Sequence, residues 1–74
     1  MIREMDLVVL TIDLPQHKLR RGDVGTVVLV HESGAGYEVE FATFSGETVS
    51  VVTLPASSVR PVGQREIDHV REVA

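Results

Sequence analysis

Three histidines, two closely spaced glutamates, a glycine-bearing turn and a basic cluster are the residues here whose chemistry could do work. His17, His31 and His69 form no H-x-H or H-x-x-x-H pair, so their spacing predicts no metal site. Glu38 and Glu40 alternate with apolar residues, which sets their carboxylates on one strand face about 7 Å apart. Some glycosidases use a similar separation. An outer strand face is equally the ordinary home of alternating glutamate, nothing nearby implies a pocket, and catalysis is not expected. No serine stands in a G-x-S-x-G context. The absence of cysteine excludes thiolate metal sites, iron–sulfur clusters and disulfide staples. The chain therefore reads as a non-enzyme that takes no cofactor, no metal and no small-molecule ligand.

The most distinctive segment is Leu19-Arg20-Arg21-Gly22-Asp23-Val24-Gly25-Thr26-Val27-Val28. A phosphate-cradling loop would need a helix N-terminus behind it, whereas the residues after this turn carry a strand pattern. The structural reading is a turn leading into a strand. Gly22 allows a positive φ, Asp23 accepts nearby backbone N–H groups, and Gly25 permits a bulge or the close approach of another strand. Just before it, His17, Lys18, Arg20 and Arg21 make a basic loop. That loop reads either as a solvated surface or as a contact site for an acidic partner or phosphates. Arg60 joins it only if the fold brings the two together.

The elements that must position these groups are strands. Fourteen valines are a strong β signal, because β-branched side chains suit a pleated, half-buried surface. Apolar runs cover Met5 to Ile12, Val24 to His31, Tyr37 to Phe41, Glu47 to Leu54 and Ser58 to Val62. The third alternates most clearly, predicting Tyr37, Val39 and Phe41 inside and Glu38 and Glu40 outside. The fourth slips phase between Val51 and Val52, which predicts a bulge there. Asp13 to Gly22 is a long first loop. Ser33 to Gly36 and Ser45-Gly46 are hairpin turns, and Pro55 to Ser57 fits one 3₁₀ turn. Pro61 lacks a ladder N–H and marks an edge. In the tail, Ile67, Val70 and Val73 recur at helical spacing, predicting a short helix over 63–74 after a β domain over 1–62.

Length and charge bound the rest. Seventy-four residues make one domain, with about 4,500 Å² of surface if compact. Seven Lys and Arg stand against eleven Asp and Glu, for a net charge of −4. Phosphate backbones select the opposite balance, and one Tyr with two Phe makes a thin stacking platform. No run is long enough to span a membrane, and the N-terminus does not read as a signal peptide.

The G-D-x-G-T-V turn resembles that of KOW-type and other SH3-like barrels. The whole chain resembles a family of small, uncharacterised bacterial SH3-like domains. That likeness is carried by Asp6 to Pro15, Leu19 to Val28, Tyr37 to Phe41, Val51 to Val62 and Arg65 to Arg71. It implies a five-stranded SH3-like barrel in a cytoplasmic protein and no assigned chemistry.

Both alternating faces of the first two runs are apolar, and a barrel core uses only one. The second face must be covered by the C-terminal helix or by another subunit. The function expected is a protein-interaction module or accessory subunit, self-associating or binding another protein. Its candidate contact residues are His17, Lys18, Arg20, Arg21, Val8, Leu10, Val27 and Leu29. The alternative is a KOW-like nucleic-acid-associated domain.

Overall fold

The computed structural model describes residues 1–73. Five antiparallel strands form one sheet: β1 (Leu7–Leu10), β2 (Val24–His31), β3 (Gly36–Ala42), β4 (Thr48–Pro55) and β5 (Val59–Pro61). Their order is β4-β3-β2-β1-β5, so the chain's last strand pairs with its first. Single 3₁₀ turns lie at Pro15–His17 in the first loop and at Ala56–Ser58 between β4 and β5.

The expectation of a closed barrel is corrected: no pairing joins β4 to β5. Pro55 ends β4 and Pro61 ends a three-residue β5, so neither edge offers a full ladder of donors. The sheet nevertheless curls over one core, to which all five strands contribute. Val8, Leu10, Val27, Val39 and Phe41 are at most 2 % exposed, with Tyr37, Val52, Leu54 and Val59 around them. Leu14 and Leu19 drop into the same core from the first loop. They also pair through Leu14 N–H to Leu19 carbonyl at 2.9 Å and the reciprocal bond at 3.1 Å.

Bending is supplied by extra residues. Val28 is unpaired where the β2–β3 register shifts between Val27 and Leu29. On β4, Phe41 opposes Ser50 while Ala42 opposes Thr48, which leaves Val49 as the extra residue. The bulge expected between Val51 and Val52 therefore lies two residues earlier. Moving it there puts Ser50, Val52 and Leu54 in one inward phase and Val51 and Thr53 outward.

The C-terminal helix is also corrected: residues 62–73 contain no helix, and Ala74 lies outside the described residues. Ile67 is 94 % exposed and Val70 68 %. A segment this short has little helical tendency of its own, and β-branched residues at the would-be apolar stripe lower it further. Competing local bonds also hold the chain otherwise. The Glu66 carboxylate accepts the Gly63 N–H at 2.5 Å, and both its oxygens accept from Arg60. The described chain exposes 5,466 Å², well above the figure for a compact globule of its mass. The unpacked tail accounts for the direction of that excess.

Candidate functional site

Two surfaces bring together groups that could recognise a ligand. The first is an open groove of about 750 Å³ between the first loop, the β3–β4 turn and the tail. The Gly22-Asp23 turn builds its inner end. Gly22 has φ +95°, the value glycine tolerates best, and its N–H bonds to the Leu10 carbonyl at 2.9 Å. Asp23 then folds back: its Oδ2 accepts the Arg20 N–H at 2.9 Å, and its own N–H donates to the Arg20 carbonyl at 3.0 Å.

The tail reaches this turn through one side chain. Arg71 Nε donates to Asp23 Oδ1 at 2.8 Å and its Nη2 to Oδ2 at 2.5 Å, while Nη2 also donates to the Lys18 carbonyl at 3.0 Å. Partial burial pushes the Asp23 carboxyl up, but the bonds from Arg71 and the Arg20 N–H outweigh it and hold the group below its ordinary value. The bond to Asp23 in turn raises Arg71. On the groove floor His17 Nδ1 and Ser50 Oγ lie 3.2 Å apart, tying the first loop to β4. Phe44 stands 92 % exposed on the β3–β4 turn at the rim.

The second surface is the outer face of the sheet, whose composition is set by the register. Leu7, Thr26, Glu40 and Val51 form one cross-strand row. Val9, Val24 and Arg60 form another, and Leu29, Glu38 and Thr53 a third. Leu7, Val24, Leu29 and Val51 are each 40–54 % exposed. Glu38 is paired with His31 at 3.0 Å, and Glu40 accepts the Thr48 hydroxyl at 2.6 Å.

The contact residues expected from sequence divide accordingly. Val8, Leu10 and Val27 are corrected: they are core residues at 0–1 % exposure and reach no surface. In β1 both phases are apolar, and it is Val8 and Leu10 that face inward while Leu7 faces out. Leu29 does lie on the outer face. His17, Lys18, Arg20 and Arg21 remain on the first loop, with Lys18, Arg20 and Arg21 exposed. Their backbone is fixed by acidic partners, as Arg21 N–H donates to Asp13 at 2.8 Å. Arg60 does not join them: it forms a fork with Glu66 beside β5.

Sequence reasoning missed Phe44, Asp23 as an ion-pair partner, and Arg71. An apolar residue beside a Ser-Gly turn was a legible signal for Phe44. A link spanning 48 positions left none for Arg71. Among the described residues no three His, Cys, Asp or Glu side chains group as metal ligands. No helix among them is long and apolar enough to cross a membrane.

Residues 4–61, more than half the chain, match the family described as a domain of unknown function (DUF4926). No curated protein and no solved structure matches the chain.

Proposed function

Starting from the premise that the chain belongs to the DUF4926 family of domains of unknown function, we propose that it is a non-enzymatic protein-interaction module of SH3-like type that pairs with a second copy of itself. The SH3-like reading is supported by the strand order β4-β3-β2-β1-β5, the long first loop and the 3₁₀ connector before β5.

The observation that carries the interaction reading is the outer sheet face. Leu7, Val24, Leu29 and Val51 stand partly exposed on one side of a single sheet, and the tail expected to cover them does not form the helix that would. Apolar side chains grouped on one face stabilise an interface by leaving water. A two-fold pairing is the simplest way to cover such a face, because the same patch serves both subunits. Thr26 and Glu40 stand between Leu7 and Val51, and Glu38 between Leu29 and Thr53, so the face mixes polar with apolar side chains, as the interfaces of separable partners do. A net charge of −4 disfavours a polyanion as the partner.

Sedimentation velocity across the micromolar range tests this reading. A concentration-dependent dimer that Val51→Lys and Leu29→Glu convert to monomer is expected. A monomer at every concentration, with tight RNA binding at about 150 mM salt lost on neutralising Lys18, Arg20 and Arg21, would favour the nucleic-acid reading instead.

A further inference from the structure

The tail packs little apolar surface yet is pinned at two polar points, Glu66 on Arg60 and Arg71 on Asp23. Arg71 is only 20 % exposed and Asp23 16 %, whereas Ile67 is almost fully exposed. A planar guanidinium held by both oxygens of a carboxylate, with a backbone carbonyl on the same Nη2, is recognition by shape as well as charge. A lysine ammonium cannot match the two-point fork. The Asp23 carboxylate is oriented by its own turn, through Arg20, and not only by the tail. Beside the fork the groove stays open, with Phe41, Phe44 and Val49 on one side and Val70 and Val73 on the other.

We infer that Asp23 and the Lys18 carbonyl form an arginine-recognition site for an extended, arginine-bearing segment of a partner protein, and that residues 70–73 of the chain itself occupy it in cis. The tail shows which chemistry the site accepts: a non-helical stretch with an arginine and a glutamate between two valines, Val70-Arg71-Glu72-Val73. The tail that occupies the site carries Glu66, Asp68 and Glu72 around Arg71, so the site reads the guanidinium fork and not net positive charge, while Phe44 and Val49 line the groove beside it. Residues 70–73 are displaceable because, beyond the Glu66 pair, the Arg71 fork is their main anchor and Ile67 and Val70 are exposed. A segment tethered this way competes at an effective concentration on the order of 1 mM. For a site of about 0.1 mM intrinsic affinity, releasing it raises the apparent affinity for a free segment about tenfold.

The test uses the full chain, unaltered and as Arg71→Ala. Each is titrated with a peptide of residues 66–73 and with the same peptide carrying alanine for arginine, following the Asp23 and Lys18 amide resonances. Arg71→Ala should bind the arginine peptide about tenfold more tightly than the unaltered chain. It should ignore the alanine peptide, and adding Asp23→Asn should abolish binding. Arg71→Lys, which keeps the charge and loses the fork, should open the site partway and serves if the alanine variant loses its sheet dispersion. Equal affinity of the two chains, equal binding of the two peptides, or an Arg71-dependent dimer in which the tail seats on a second copy would overturn the inference.

Discussion

A Cβ placed on Gly25 of β2 would sit 2.5 Å from Cγ1 of Val39 on β3, and 2.9 Å from the Glu40 carbonyl oxygen. Two strands pack here at a distance that only a residue without a side chain permits, with Phe41 closing the third side at 2.8 Å. Gly25→Ala should therefore force the β2–β3 pair apart at the centre of the core. A loss of about 1–3 kcal/mol is expected, read from the midpoint of urea unfolding. An unchanged midpoint would mean the strands are not this close.

Leu10 and Ile67 make a paired comparison. Leu10 is 1 % exposed at the heart of the core, and Ile67 projects from the tail. Leu10→Ala should cost about 2–5 kcal/mol through lost transfer energy and the cavity left behind. Ile67→Ala should stay within about 0.5 kcal/mol of the unaltered chain. Comparable losses from both would restore a packed C-terminal element.

Acid stability should depend on two carboxyls. Asp23 titrates below its ordinary 3.8 in the folded chain. Glu66 is held at about 2, against an ordinary 4.5, by the Arg60 fork first and the Gly63 N–H second. Both groups are lowered by folding, so the unfolded chain binds more protons in this window and stability rises with pH. Their contribution is complete above the ordinary values and is lost as pH falls through the folded ones. Asp23→Asn and Glu66→Gln should each flatten the pH dependence of the melting temperature below about pH 5. The Glu66 effect should shrink with added salt, because that pair is exposed. A slope in both variants identical to that of the unaltered chain would remove these pairs from the account.

Phe44, nearly bare on its turn, should contribute little to folding. Phe44→Ala is expected to shift stability by no more than about 0.5 kcal/mol while weakening uptake of the arginine peptide at the groove it borders. Destabilisation comparable to a core truncation would show that the ring packs in solution.

Much of the architecture was legible residue by residue. Tyr37-Glu38-Val39-Glu40-Phe41 alternates cleanly, so one period-two reading placed three side chains in the core and two outside. Gly22 and Gly25 announced a positive φ and a close approach, because no other residue suits either position as well. Such features are set within a few residues of chain.

The rest depended on partners distant in sequence. Leu7-Val8-Val9-Leu10 is apolar in both phases, so only pairing with β2 and β5 decided that Val8 and Leu10 turn inward. Residues 63–74 carry a helical spacing of valine and isoleucine, but a short helix without a docking surface has too little energy to hold itself together. In the folded chain Arg60 takes Glu66 and Asp23 takes Arg71, and those bonds set the path of the tail. Local pattern determines which face a strand segment can offer. Which face is buried, and where a marginal segment comes to rest, is decided by contacts that exist only once the sheet has formed.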